Sequence, residues 1–204
     1  MTIRRVPTQA RGRERVAAIV AAAEAVFGEA GYETATTNAI AARAGVPVGS
    51  IYQYFADKQA LLHAVADDYA TEMLAVYDAL LMHGSQDPHI LAGELLDGLA
   101  AFGSARFGFT RIVLSAGAHP HLAGAVQVIS AQVADKITQI IAERAPHLAP
   151  SAAHTIAQTV MTTKNAMLGL AIQTKEQTGY PAMEAVLHET RLLLGAYLAA
   201  RMRG

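Results

Sequence analysis

The chain has 204 residues, of which 52% are hydrophobic and 16% are charged, and it contains no cysteine. This length and apolar content are typical of an ordered protein that can bury a hydrophobic core without covalent cross-links. The missing cysteine excludes disulfides, thiolate metal sites and a cysteine nucleophile. The longest apolar stretch near the N-terminus, residues 16–27, is interrupted by Glu24 and is too short to span a bilayer. We therefore expect a cytoplasmic protein without a membrane partner.

Charge is distributed unevenly along the chain, although the net charge is only −1. Residues 1–15 carry five arginines against the single Glu14. Residues 1–60 hold seven basic and five acidic side chains, so the acidic excess lies in residues 61–204. A basic N-terminal segment in a chain that is otherwise acidic suits an anionic partner that binds at the N-terminus. Residues 1–15 form either an arm along such a partner or a solvated tail, and we expect the tail for residues 1–10.

Apolar residues recur at helical spacing through the whole sequence, and no useful β-alternation is present. Gly31 and Gly45 are predicted to end the first two helices. Pro47 suits the first turn of the third helix, and Asp57 is a predicted N-cap of a long fourth one. The fold class predicted from this pattern is all-α, with short loops between antiparallel helices. The helices are expected at about 11–30, 38–44, 47–55, 57–83, 88–106, 110–116, 120–145, 151–177 and 181–203.

Residues 36–55 predict two short helices joined by a tight turn at Gly45, which is the shape of a helix-turn-helix. On the outer face of the second helix, Gln53 can pair bidentately with adenine and Val48 can contact a thymine methyl group. Gly49 lacks a side chain where the helix would approach DNA closely. The same pattern also fits a helical hairpin of a bundle with a polar outer face. The inward positions are apolar: Ile40, Ala41, Ala44, Val46, Ile51 and Phe55.

Residues 11–62 resemble the N-terminal domain of the tetracycline-repressor-like (TetR) family of bacterial transcription regulators. The resemblance implies a three-helix DNA-binding domain over residues 11–56, followed by a helical domain for effector binding and dimerisation over residues 57–204. The matching residues run in register without gaps: Phe27, Gly31, Tyr32, Thr36, Thr37, Ile40, Ala41, Ala44, Gly45, Val46, Gly49, Ile51, Tyr52, Tyr54, Phe55, Asp57, Lys58, Leu61 and Leu62.

The resemblance also implies which residues contact DNA. It assigns phosphate contacts to Thr37, Tyr52, Tyr54 and Lys58. The positions that face the groove are Pro47, Val48, Gly49, Ser50 and Gln53. The chain departs from the family pattern at two of these positions. Pro47 stands where serine is common, which removes a possible phosphate contact. Tyr54 stands where histidine is common. Its hydroxyl can still contact phosphate, but its ring cannot become charged as an imidazole can.

The last predicted helix is apolar over a wider arc than one neighbour in a monomer would cover. In the TetR family the last two helices form a four-helix dimer interface, and this composition fits that arrangement. A simple core helix is the alternative. The residues expected in the interface are Ile156, Val160, Met183, Val186, Leu187, Leu193, Leu194 and Tyr197.

An effector pocket is expected among the helices between residues 65 and 175. The mostly apolar residues available there favour a lipophilic or aromatic small molecule. The candidate lining residues are Tyr69, Phe102, Arg106, Phe107, Phe109, Gln127, Asn165 and Met167.

No catalytic, cofactor-binding or metal-binding motif is present in the sequence. The function expected from the motif and the resemblance is that of a dimeric, ligand-responsive repressor on a palindromic DNA operator. A transcriptional activator, or a regulator that needs no small-molecule effector, is the first alternative. A helical carrier or enzyme that keeps the hairpin as scaffold is the second.

Overall fold

A computed structural model describes residues 10–106, 120–176 and 183–203. All regular structure in these ranges is helical, which confirms the predicted all-α class. The predicted helix over 110–116 lies outside the described residues. We number the helices in chain order: α1 Ala10–Ala30, α2 Thr37–Ala44, α3 Val48–Tyr54, α4 Lys58–His83, α5 Pro88–Ala105, α6 Pro120–Arg144, α7 Pro150–Glu176 and α8 Met183–Met202.

The helix ends follow the local capping signals with one exception. The amide of Ala60 donates to the Asp57 carboxylate at 2.7 Å, so Asp57 caps α4 as predicted. Gly31 and Gly45 both have positive φ, the conformation that favours glycine at a helix C-terminus. Pro47 was predicted within the first turn of α3, but it is the N-cap, with φ −59° and ψ 143°. Its extended ψ angle keeps it outside the helix, which begins at Val48.

The chain divides into two compact units. In the described residues, the first comprises 10–71, 106 and 120–127, and the second comprises 72–105, 128–176 and 183–203. The first part of α4 therefore packs with the helix-turn-helix, whereas the sequence placed a boundary before α4. The buried residues Leu61 and Leu62 explain this, because they extend the core of the first unit into α4.

In the first unit, α1 packs against α2 and α2 packs against α3. Ile19 and Phe27 of α1 are fully buried, as are Ile40 of α2 and Ile51 of α3. Burial of each such side chain contributes about 1.5–3 kcal/mol of hydrophobic stabilisation. The inner face of α3 is thus anchored in the core, and its outer face is left free.

In the second unit, α8 packs against both α5 and α7. A close approach of α8 to α5 occurs at Gly195, where an added Cβ would lie 2.9 Å from Nδ1 of His89. Arg144 of α6 closes the end of α4 by donating hydrogen bonds to the carbonyls of Leu80 and Gly84 at 2.8 and 2.9 Å. None of the described helices is long and apolar enough to cross a membrane.

Candidate nucleic-acid interface

The start of α2 and the turn between α2 and α3 are fixed by local hydrogen bonds. At the start of α2, the Thr36 hydroxyl accepts from the amide of Ala39 at 3.1 Å. At its end, Gly45 adopts φ 66° and ψ 31°, and the amide of Val46 donates to the carbonyl of Ala41 at 3.0 Å. This left-handed glycine ends α2, and α3 begins three residues later at Val48. The orientation of α3 therefore follows from local chemistry.

The outer face of α3 carries the residues predicted to lie in the groove. Val48 is 38% exposed and Tyr52 is 45% exposed. Gly49 and Gln53 are also exposed, while Ser50 and Tyr54 are half-buried. Pro47, the N-cap of α3, is exposed as well. One side of this short helix thus presents a methyl-bearing side chain, an amide and hydroxyls to solvent.

A side-chain hydrogen bond joins α2 to α3 at this surface. The hydroxyl groups of Thr37 and Tyr52 lie 3.1 Å apart. This contact brings together two of the four residues that were predicted to contact phosphate. Each hydroxyl keeps a lone pair or proton for a further partner, because a hydroxyl can donate once and accept twice.

Lys58, the fourth predicted phosphate ligand, has three backbone acceptors. Its ammonium donates to the carbonyls of Tyr32, Glu33 and Ala35 at 2.8, 3.1 and 3.1 Å. The same nitrogen lies 4.5 Å from the centroid of the Tyr32 ring. These three hydrogen bonds use all three protons of the ammonium. In this arrangement Lys58 fixes the loop between α1 and α2, a role that sequence reasoning missed because the partners lie more than twenty residues away.

Only some of the other cations of the first unit are paired. Arg43 makes a bidentate ion pair with Glu29, with both N–O distances at 2.6 Å, and this hydrogen bonding lowers the pKa of Glu29. Arg11, Arg13 and Arg15 at the start of α1 are exposed. None of these three has an ion-pair partner in the part of the chain that the structure describes. The unneutralised positive charge therefore lies on α1 rather than on α3.

The predicted effector residues are divided between the two units. Tyr69 and Arg106 belong to the first unit with the exposed Gln127, and the buried Phe102 belongs to the second with the half-buried Asn165 and Met167. Phe107 and Phe109 lie outside the described residues. No single unit therefore brings the predicted set together.

Arg106 is engaged in ion pairs rather than open to a ligand. Its guanidinium contacts Glu24 at 2.7 Å and Asp68 at 3.1 Å. It also lies 5.9 Å from the ring centroid of the buried Tyr69. Only 12% of its side chain is exposed. The charge of Arg106 is thus neutralised within the first unit, and its place in an effector pocket stays a prediction.

The residues predicted for the dimer interface differ in exposure within the single chain, and their role in an interface stays a prediction. Ile156, Val160, Val186 and Leu194 are buried within the single chain, so their side chains form its own core. Helical periodicity could not tell which of two apolar faces the chain itself covers. Leu193 is 51% exposed, Leu187 and Tyr197 are half-buried, and the side chain of Met183 is not described.

A surface of α8 that the sequence analysis did not select is exposed and mostly apolar. Leu192 on this surface is 56% exposed. On α7, Leu170 is 38% exposed. We call the exposed row along α8 the α8 stripe; its members, spaced by three or four residues, are Ala185, Glu189, Leu192, Ala196 and Ala200.

Several solved structures share this fold. A TetR-family transcriptional regulator from Syntrophomonas wolfei is 16% identical with a TM-score of 0.75, over 92% of this chain and 96% of that chain. The fatty acid degradation regulator FadR from Bacillus halodurans is 18% identical with a TM-score of 0.73, over 88% and 94%. SmeT, the repressor of the Stenotrophomonas maltophilia efflux pump SmeDEF, is 21% identical with a TM-score of 0.66, over 91% and 89%. At these identities the similarity establishes the fold alone.

Family models identify both parts of the chain, whereas a search of curated protein sequences finds no significant match. Residues 19–65 match the model of bacterial regulatory proteins of the tetR family. Residues 87–198 match the tetracyclin repressor-like C-terminal domain, which by itself covers more than half of the chain. The chain therefore belongs to the TetR family of transcriptional regulators.

Proposed function

We propose that this TetR-family protein is a homodimeric repressor that binds a roughly palindromic DNA operator and is released by a small, lipophilic effector. The observation that carries the DNA-binding part is the outer face of α3, where Val48, Tyr52 and Gln53 are exposed while Ile51 is fully buried. A helix anchored on one side and polar on the other is suited to reading base edges in the major groove. This role needs no enzymatic activity, and it implies a cytoplasmic location because the operator is there.

Within this proposal, the groove-facing residues are those predicted from the sequence. Gln53 reads a base edge, and Val48 contacts a thymine methyl group. Thr37, Tyr52 and Tyr54 supply hydroxyls to phosphates, which position the protein without reading sequence. Pro47, Gly49 and Ser50 lie on the surface of α3 that faces the DNA groove. Lys58 contributes mainly by holding the loop that leads into α2.

The dimer part of the proposal is supported by the α8 stripe. Contiguous exposed apolar surface on a helix is typical of a protein–protein contact. Its alanines allow a second helix to approach closely. Leu192 of the stripe and the neighbouring exposed Leu193 supply apolar area. Two copies related by two-fold symmetry would present two α3 helices to half-sites about one DNA turn apart.

The ligand-responsive part is supported by the shared fold and by the residues available for a pocket. The shared fold includes SmeT, which is described as a repressor, and FadR, which is described as a regulator of fatty acid degradation. An effector would act only if its affinity differs between a conformer that matches the operator and one that does not. The mostly apolar residues available between residues 65 and 175 favour a lipophilic molecule.

The first test is selection of bound duplexes from a random DNA pool by the purified chain at about physiological salt. We expect a two-fold-symmetric site to be enriched. If folded, dimeric protein enriches no site, the repressor proposal is wrong and a carrier or scaffold role replaces it. Activation rather than repression would be revealed by a transcription assay on the selected site.

A glycine substitution on α3 separates DNA contact from folding. An added Cβ at Gly49 would meet no atom within 4 Å, so Gly49→Ala is accommodated in the free protein. We expect it to raise stability by about 0.5–1 kcal/mol, since glycine inside a helix is less favourable than alanine. We expect operator affinity to fall by about tenfold, because the added methyl group would hold α3 away from DNA. This is the scale of one lost base contact.

A matched control is available for this substitution. Gly124 of α6 is also helical, and an added Cβ there meets no atom within 4 Å. Gly124→Ala should therefore leave operator affinity unchanged. Equal operator affinity for wild type and Gly49→Ala would show that α3 does not approach DNA with this face.

A further inference from the structure

A lysine lies in the buried face of α7. The side chains of this face recur at helical spacing and are all less than 10% exposed: Ala153, Ile156, Ala157, Val160, Met161 and Lys164. Lys164 itself is 7% exposed. Because this burial is within the single chain, the lysine is directed into its own protomer and not toward a second copy.

Lys164 has no compensating charge among the described residues. No hydrogen bond or ion pair to its ammonium is present there, in contrast to Lys58 with its three carbonyls and Lys136, which lies 2.6 Å from Asp78. Burial alone lowers the pKa of Lys164 to about 8. An ammonium that is removed from water without a partner is costly, so a mobile anion that enters the site would recover part of that cost.

Two methionines flank this lysine on the same face of α7. Met161 lies one turn before it and is buried, and Met167 lies one turn after it and is half-buried. Residues three apart on a helix are neighbours on its surface. Methionine side chains are flexible and polarisable, which lets them adapt to an apolar ligand. The three residues together provide one positive charge between two adaptable apolar groups.

We infer that Lys164 binds the negatively charged group of the effector, and that this effector is a small carboxylic acid with an apolar body that packs against Met161 and Met167. The inference rests on the ligand response in the proposed function and narrows it from a lipophilic molecule to an amphiphilic anion. Of the residues predicted to line the pocket, this inference keeps Met167. It adds Lys164, which could not be selected by a search for apolar residues.

The test measures binding by the full chain without DNA. The probes are octanoate, decanoate, dodecanoate, benzoate and 4-phenylbutyrate, each compared with the corresponding alcohol at pH 7. Thermal midpoints and calorimetric titrations are measured for wild type, Lys164→Met and Lys136→Met. Lys136→Met is the matched control, because it removes a lysine that already has a carboxylate partner.

We expect at least one carboxylate to bind wild type and Lys136→Met, and to bind Lys164→Met at least about tenfold more weakly, as for loss of a charge-assisted hydrogen bond. The matching alcohol should bind wild type and Lys164→Met equally. The inference is overturned if no carboxylate binds better than its alcohol, or if Lys164→Met binds the carboxylate as well as wild type does.

Two further arms keep this result separate from the proposed function. Lys164→Met removes a buried charge and is expected to fold, and Lys164→Arg, which keeps the charge, should retain carboxylate binding. A carboxylate that binds through Lys164 without weakening operator binding would support the site and reject the ligand response. Release from DNA by a neutral compound, equally in wild type and Lys164→Met, would support the ligand response and overturn the site.

Discussion

Replacement of Lys58 by methionine distinguishes a residue that holds the DNA-binding unit from one that contacts phosphate. The ammonium donates three hydrogen bonds, at 2.8, 3.1 and 3.1 Å, to the loop between α1 and α2. Charge-assisted hydrogen bonds contribute about 1.5–3 kcal/mol each when well shielded, and less at a half-buried site. We therefore expect Lys58→Met to lower the free energy of unfolding by about 2–3 kcal/mol.

The salt dependence of operator binding gives the second readout. A lysine that neutralises one phosphate contributes about 0.9 to the slope of log affinity against log salt concentration. Because the three protons of Lys58 are already donated to carbonyls, we expect Lys58→Met to weaken binding while the slope changes by much less than that. The weakening follows from a loosened loop at Thr36, the N-cap of α2.

The assay combines thermal unfolding with operator titrations at four or more salt concentrations. Tyr52→Phe is the control, since it removes a hydroxyl from α3 but leaves the loop contacts of Lys58 intact. If Lys58→Met keeps the thermal midpoint of wild type and lowers the slope by the full amount for one phosphate, the positioning role is refuted. The phosphate contact implied by the family resemblance would then be correct.

Substitutions at Lys164, Gly45 and Arg106 probe charge and backbone conformation. Burial lowers the pKa of Lys164 from 10.5 to about 8, so the folded state holds its proton less tightly than the unfolded state does. Below pH 8, the free energy of unfolding of wild type should be about 3 kcal/mol lower than that of Lys164→Met, and this difference should disappear as the pH rises to about 10.5. Chemical denaturation across this pH range measures the difference, and a difference that does not change with pH would contradict the prediction. Because Gly45 has a positive φ, Gly45→Ala should lower the free energy of unfolding by about 1–2 kcal/mol, and Gly45→Asn should lower it by less. Equal denaturation midpoints for the two variants would be inconsistent with the left-handed turn. Arg106→Met leaves the carboxylate of Glu24 in a mostly buried site without its partner and should cost about 2 kcal/mol. A double-mutant cycle with Glu24→Gln measures this coupling, and additive effects would show that the ion pair contributes nothing.

The sequence by itself determined the helices and the turn of the DNA-binding motif. Gly45 and Asp57 act on backbone groups within four residues of themselves, so their capping roles could be predicted without knowledge of the rest of the chain. Apolar spacing likewise identified Ile40 and Ile51 as core residues, and both are fully buried. These features depend on local chemistry and on helical periodicity alone.

Only the tertiary structure decided the partners of the charged residues and the covered face of each apolar helix. Lys58 reaches carbonyls 23 to 26 residues away, and Arg106 pairs with Glu24 across 82 residues. Leu194 and Leu193 are adjacent in the sequence, yet the first is buried by the chain's own fold and the second is exposed. Helical spacing shows that a face is apolar but not which neighbour covers it. Long-range packing settles that choice, and it also places Lys164 inside an apolar face where no local signal would put a charge.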